Sequence, residues 1–178
     1  LNIKENLIYR KVNLDLHKPI ISYTEQVATF FCWNLSGQMV GYQSYRLHGD
    51  KKIFNNPRLG RYYTYRSKIP SVFFWGLESF YSSDGPIFIT EGIFDACRMT
   101  FRNRTAFAAL CNDPPKDFKN WLKCLNRPTV AICDNDAAGI KLAKVADHFE
   151  VVPKGDLGDS SEEYVTYLIE RYDHMSNL

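Results

Sequence analysis

The chain has 178 residues, 45% of them hydrophobic and 24% charged, enough apolar surface to order one ordinary domain or two small subdomains round a shared core, which excludes global disorder. Its net charge is only +2, so partners have to be read from where the charges fall. Cys32, Cys97, Cys111, Cys124 and Cys133 are odd in number and form no CxxC pair, which excludes the usual structural zinc spacing and argues against a disulfide framework, and no apolar stretch approaches the ~20 residues of a membrane span.

Residues 27–33 and 39–45 are largely aromatic and β-branched and flank a turn at Ser36-Gly37-Gln38, which predicts an antiparallel hairpin. Residues 46–68 are basic, aromatic and rich in Asn, Pro and Gly, the pattern of a loop-rich surface with short strands. From Pro86 the rhythm changes. The apolar run 87–90 predicts a buried strand, 93–102 a helix and 105–110 a further apolar run. Residues 115–125 predict a helix, with Phe118, Trp121, Leu122 and Leu125 at helical spacing. A strand at 130–133, a helix at 137–147, a strand at 149–152 and a helix at 161–172 follow. This alternation predicts a compact α/β layer fold with a mostly parallel sheet. Trp33, Trp75 and Trp121 read as core or subdomain-interface residues. His17, His48, His148 and His174 sit in no ligand pattern, so no chemistry is assigned to them, and without a Walker-type loop ATPase activity is not expected.

Acidic residues fall where the strands end. Glu91-Gly92 follows the first strand, Asp134-Asn135-Asp136 the third, and Asp156 and Asp159 the fourth. In open α/β sheets ligands bind at the carboxyl ends of strands. Residues two apart on an extended segment point the same way, so Asp134 and Asp136 are expected to face one site together. Taken singly, each acid has an ordinary role as a helix cap. Three clusters at three ends of one sheet repel one another, and a cation is the natural neutraliser. Oxygen ligands of this kind suit Mg²⁺.

The segment Ile89-Thr90-Glu91-Gly92-Ile93-Phe94-Asp95-Ala96 resembles the glutamate motif of TOPRIM domains, in the primase version with a second acid four residues on. Ala131-Ile132-Cys133-Asp134-Asn135-Asp136-Ala137-Ala138-Gly139 resembles the TOPRIM Asp-x-Asp motif with the Gly common in primases. Pro153-Lys154-Gly155-Asp156-Leu157-Gly158-Asp159 resembles a later acidic stretch of bacterial primases, with the spacing off by one residue and Gly158 where Pro is usual. Either Asp156 or Asp159 then supplies the third metal-side acid; Asp159, in the second acidic position, is favoured. More loosely, Gly41 to Leu47, Phe54-Asn55-Asn56-Pro57 and Phe74-Trp75-Gly76-Leu77 follow the order of segments before the primase TOPRIM.

The resemblance implies a TOPRIM fold, a mostly parallel four-stranded sheet flanked by helices over residues 85–178, preceded by a small mixed α+β basic subdomain over 1–84. It implies a DNA primase core that makes short RNA primers from nucleoside triphosphates on single-stranded DNA with Mg²⁺ or Mn²⁺. Glu91, Asp134 and Asp136 would be catalytic, with Asp95, Asp156 and Asp159 as further metal-side acids. Glu91 would either complete the metal shell or help activate the primer 3′-hydroxyl. The zinc-binding module and helicase-interacting tail of bacterial primases have no counterpart in the sequence, so a replicative helicase and a separate zinc module are expected partners. The chain begins at Leu1 with no initiator Met, as an excised piece of a longer protein would, and neither a signal peptide nor a membrane segment is visible. Reduced thiols fit the cytoplasm of a bacterial cell or phage-infected host.

Residues 46–68 supply Arg46, Lys51, Lys52, Arg58, Arg61, Arg66 and Lys68, interleaved with Tyr62, Tyr63 and Tyr65. Cations that track phosphates beside rings that stack bases are the ingredients of a single-strand binding surface, although charge runs are commonly just solvated faces. Arg98, Arg102 and Arg104 form a weaker cluster that suits a helix C-terminus. A TOPRIM nuclease, in which water rather than a 3′-hydroxyl attacks, and a non-catalytic single-strand-binding replisome module are the alternative readings.

Overall fold

The computed structural model describes residues 1–51, 53 and 55–175. Helix α1 (Ile3–Tyr9) opens on a capping box. The Asn2 side chain accepts the Glu5 N–H at 3.0 Å and the Glu5 carboxylate accepts the Asn2 N–H at 2.8 Å. Ile3 and Leu7, four residues apart, are fully buried. A short helix, α2 (Leu14–His17), leads into β1 (Ile20–Ser22).

Strands β1, β2 (Val27–Trp33), β3 (Met39–Arg46) and β4 (Tyr62–Arg66) form an antiparallel sheet in that order, and the predicted hairpin is β2–β3. Alternation sorts its faces. Ala28, Phe30 and Cys32 are buried, while Trp33 is 40% exposed on the opposite face rather than in the core. On the edge strand, Tyr62 pairs with Tyr45 and Thr64 with Gln43 on the inner face; Tyr63 pairs with Ser44 and Tyr65 with Tyr42 on the outer one.

The second sheet is wholly parallel: β5 (Ile87–Thr90), β6 (Ala106–Ala108), β7 (Thr129–Cys133) and β8 (His148–Val151), in the order β6-β5-β7-β8. Every residue of β5, β6 and β7 is buried, as expected of parallel strands covered on both faces. Helices α3 (Ile93–Thr100) and α5 (Glu162–Asp173) cover one face, and α4 (Lys116–Cys124) with a 3₁₀ stretch, Gly139–Val145, covers the other. That stretch corrects the α-helix predicted over 137–147. Its buried residues are Gly139, Leu142 and Val145, a spacing of three that stacks on one side of a 3₁₀ turn.

Helix α3 is buried at every position. It lies between the sheets, and one core joins Ile3, Leu7, Ala28 and Phe30 to Phe88, Ile93, Val130 and Leu168. Trp75 is buried in this core and Trp121 packs beside Phe74 on the far face. The strand order reverses between β5 and β7, so their carboxyl ends open on the switch-point crevice where ligands of α/β sheets bind. Among the described residues no helix is long and apolar enough to cross a membrane.

Candidate active site

Glu91 follows β5 directly, and Gly92 caps α3. Asp95, in the first turn of α3, is 8% exposed. Its Oδ2 accepts the Gly92 N–H at 3.2 Å and its Oδ1 the Gly158 N–H at 2.7 Å, so one carboxylate ties the β5–α3 turn to the loop after β8. Burial, then the charges of Asp156 and Asp134, push its pKa up to about 7 against the pull of those two N–H bonds. Asp134 is the first residue after β7; burial, then Glu91, Asp156 and Asp136, raise it to about 6. Burial first and Asp136 second also raise Glu91. The loop carrying Asp156 is held to the end of β7 by Asn135, whose Nδ2 donates to the Pro153 carbonyl at 2.7 Å and whose N–H donates to that of Gly155 at 2.9 Å.

Glu91, Asp95, Asp134 and Asp156 line one cleft of about 230 Å³, closed on its other sides by Phe94, Leu110, Gln43, Tyr62 and Arg10. Gly139 lets the 3₁₀ stretch close on Asp134. A Cβ there would sit 2.7 Å from the Asp134 Cβ and 2.7 Å from its carbonyl oxygen, a clash that only glycine avoids.

Two expectations change. The segment after Cys133 is not extended: Asp136 N–H bonds to the Asp134 carbonyl at 2.9 Å. Asp136 is exposed and does not line the cleft, although its charge still reaches Glu91 and Asp134. Its Oδ1 accepts the N–H groups of Ala138 at 2.9 Å and Gly139 at 2.6 Å, a capping role. The structure also brings Asp156, rather than Asp159, to the cleft. Asp156 Oδ1 accepts the Asp159 N–H at 2.9 Å, and exposed Asp159 lines a neighbouring groove with Asn6 and Arg98.

Among the described residues no three His, Cys, Asp or Glu side chains are gathered closely enough to hold one metal ion between them. The donor chemistry nonetheless fits Mg²⁺, which commonly takes one or two carboxylates and fills its shell with water and phosphate oxygens. Carboxylates whose pKa values are raised by burial and by one another are costly to ionise together, and a divalent cation relieves that cost.

The basic residues divide. Arg46 donates to the Glu25 carbonyl, Arg61 to that of Gly49 and Arg66 to that of Ser71, so each is partly engaged in holding the loops. Lys51, Arg58 and Lys68 are exposed, and Lys52 and Phe54 lie outside the described residues. Arg58 sits 5.9 Å from the centre of the Tyr63 ring. Tyr63 belongs to an outer-face aromatic strip in which Tyr42 meets Tyr65 at 5.3 Å and Tyr63 at 6.3 Å. It is Tyr62, on the inner face, that reaches the cleft. Arg98, Arg102 and Arg104 are structural: the first two pair with Glu162 and the third with Asp173. Sequence reading missed Arg10 and Gln43, and grouped Tyr62 with the surface tyrosines rather than with the cleft. For Tyr62 the strand register carries the information; Arg10 stands outside any motif.

No protein-family model matches the sequence, and no curated protein matches it significantly. Solved structures do. A DnaG catalytic core aligns over 81% of this chain and 52% of its own, at 19% identity and a TM-score of 0.61. The Aquifex aeolicus primase, with its zinc-binding and RNA polymerase domains, aligns over 83% of this chain and 40% of its own, at 19% identity and 0.63. A DnaG catalytic domain bound to single-stranded DNA aligns over 95% and 60%, at 17% identity and 0.63. The chain spans about half the length of these proteins. Its fold is that of the catalytic core of DNA primases.

Proposed function

We propose that the chain is the RNA-polymerising core of a DNA primase of the TOPRIM class, which joins ribonucleotides on single-stranded DNA in the cytoplasm of a bacterial or phage-infected cell. The observation that carries this reading is the convergence of Glu91, Asp95, Asp134 and Asp156 in one cleft at the switch point of a primase-core fold. Asp134 and Asp156 supply the oxygens that would hold Mg²⁺ or Mn²⁺. When bound, the ion neutralises the triphosphate and stabilises the attacking and leaving oxygens of an in-line displacement. Asp95 keeps the loop bearing Asp156 against α3 through its bond from Gly158. We assign Glu91 the proton of the attacking 3′-hydroxyl; a carboxylate whose pKa is raised by burial and by the Asp136 charge suits a general base. The template strand is assigned to the aromatic and basic outer face, where rings stack bases and exposed cations meet phosphates. A helicase and a zinc module on other segments or chains complete the expected assembly.

The test is incorporation of labelled ribonucleotide on single-stranded DNA with manganese. Wild type should extend primers. Glu91→Gln and Asp134→Ala should each lose at least about a hundredfold in rate while retaining fold and DNA binding. Undiminished synthesis by either variant would refute the assignment, and cleavage of the labelled DNA without nucleotides would favour a nuclease.

A further inference from the structure

We propose that the lysine face formed by α4 and the 3₁₀ stretch Gly139–Val145 is the track along which the nascent primer–template duplex leaves the cleft. This deepens the primer-synthesis reading and rests on it.

The two elements lie side by side over one face of the parallel sheet. Each joins the carboxyl end of one strand to the amino end of the next, so both start at the cleft edge and run towards the opposite edge. The 3₁₀ stretch begins at Gly139, packed against Asp134 itself. Phe118 and Leu122 of α4, and Leu142 and Val145 of the 3₁₀ stretch, are buried in the core beneath. Periodicity then sends the lysines outward. Lys116, Lys119 and Lys123, three and four residues apart, share one side of α4. Lys141 and Lys144, three apart, stack on one side of the 3₁₀ turn. Lys119 Nζ donates to the Lys144 carbonyl at 2.6 Å, which joins the two rows into one surface. A hollow of about 270 Å³ lies between them, lined by Lys119, Lys123 and Asn126.

Most of this charge is uncommitted. Lys116, Lys123 and Lys141 are exposed and make no side-chain hydrogen bond or ion pair among the described residues. Lys144 meets Asp113 at 3.9 Å, a long contact between two exposed side chains that is worth little in water. The neighbouring acids are mostly turned to the backbone. Asp136 accepts the N–H groups of Ala138 and Gly139, and Asp147 that of Thr129, which leaves exposed Asp117.

The make-up of this face selects its partner. Its cations are all lysines, flexible point charges that meet a phosphate without demanding one geometry. Among the described residues of the two elements, Ile140 alone is an exposed large apolar side chain. A protein partner needs an apolar or aromatic centre, and lysine is depleted from such interfaces. An unpaired strand needs exposed rings to stack on. Duplex backbone needs neither, since cations meet its phosphates without reading sequence. Position supplies the source of that duplex: on the primer-synthesis reading, joined nucleotides pair with the template beside Asp134, where the track starts. Helix α4, nine residues long, extends about 13 Å, a length over which a duplex presents roughly eight charges.

The test uses the full chain carrying Lys116→Gln, Lys123→Gln and Lys141→Gln together. Lys4→Gln with Lys18→Gln, both exposed and on the first two helices, is the control for charge removed elsewhere. Binding of an RNA–DNA duplex of about ten base pairs is followed by fluorescence anisotropy across a salt series. The triple variant should bind at least about tenfold more weakly, with a log–log salt slope smaller by about 2–3, at roughly 0.9 per lost contact. The control, and single-stranded DNA binding by the triple variant, should match wild type. In primer extension with manganese, the first dinucleotide should form at the wild-type rate, while products longer than about five nucleotides fall at least about threefold as the weakened duplex dissociates sooner. An unchanged duplex slope, an equal loss on single strands or in the control, or a dinucleotide rate that falls as far as the long products would overturn the track. Poly-glutamate of equal charge should displace the labelled duplex at least about tenfold less well than unlabelled duplex does; equal displacement would assign the face to an acidic protein instead. If wild type joins no nucleotides, the primer-synthesis reading fails by itself. The duplex measurements then still decide the lysine face: an unchanged slope in the triple variant overturns it and a reduced one supports it.

Discussion

Asp134 is half-buried at the end of β7, with Glu91, Asp156 and Asp136 acting on it, and burial together with those charges raises its pKa from 3.8 to about 6. The folded chain therefore holds the Asp134 proton more tightly than the unfolded chain does. Stability contributed by this group is greatest at low pH, falls as pH climbs from about 4 to 6, and stays low above 6. A displacement of that size corresponds to roughly 3 kcal/mol. Because the carboxyl is about half exposed, screening by solvent reduces the usable figure to about 1–2 kcal/mol. Asp134→Asn removes the charge at constant shape. In EDTA at pH 7.5 the variant should be the more stable protein by that amount, a rise in Tm of roughly 2–8 °C for a chain of this size. The gain should shrink as pH is lowered from 6 towards 4. Magnesium with nucleotide should reverse the order, since a ligand that binds only the folded state stabilises it in proportion to its affinity. Differential scanning fluorimetry over a pH series, with and without the ion, measures all three. A variant less stable than wild type in EDTA at pH 7.5, or a gain at pH 4 as large as at pH 7.5, would refute the view that the cleft is held together against its own charge.

Asp156→Ala should lower primer synthesis by about tenfold or more, while Asp159→Ala changes it less than about threefold, because only the former loses a cleft carboxylate; equal effects would return the third acid to Asp159. Gly139→Ala should cost about 2–3 kcal/mol in urea melts and reduce activity, since its Cβ would meet Asp134 at 2.7 Å. Tyr63→Ala should weaken single-stranded DNA binding by about 1–3 kcal/mol, and Arg58→Ala should reduce the salt slope by about 0.7, both leaving KM for nucleotide unchanged; fluorescence anisotropy across a salt series separates the two.

Glu91 and Asp134 were legible because each directly follows an apolar run that reads as a buried strand, and a parallel sheet gathers such ends. Which oxygen points where was not legible. Asp134 and Asp136 look equivalent in sequence, but the backbone turns between them and an N–H pair at Ala138 and Gly139 captures Asp136. The choice between Asp156 and Asp159, three residues apart, follows from the Gly158 N–H bonding Asp95 some sixty positions earlier in the chain, and no local pattern encodes it. The first helix did carry a readable signal, the Asn2-to-Glu5 capping box, but its apolar face is only Ile3 and Leu7. In the basic stretch, composition could not distinguish Arg61, engaged on the Gly49 carbonyl, from exposed Arg58.

Phe94 shows why the acidic motifs alone do not make the site. Its ring meets Tyr45 edge-on at 4.8 Å, Phe30 at 6.1 Å and Tyr62 at 6.3 Å, and carries Arg10 on its face. The next residue is Asp95. The turn that presents Glu91 and Asp95 is thus wedged against the antiparallel sheet, and a helix buried on all sides has no freedom to adjust when either neighbour moves. The loop with Asp156 hangs from that same turn through Gly158. The spacing of the carboxylates is therefore set as much by aromatic packing from residues 30–62 as by the strands that carry the acids, and shrinking Tyr45 or Phe30 would disturb the cleft without touching a single charge.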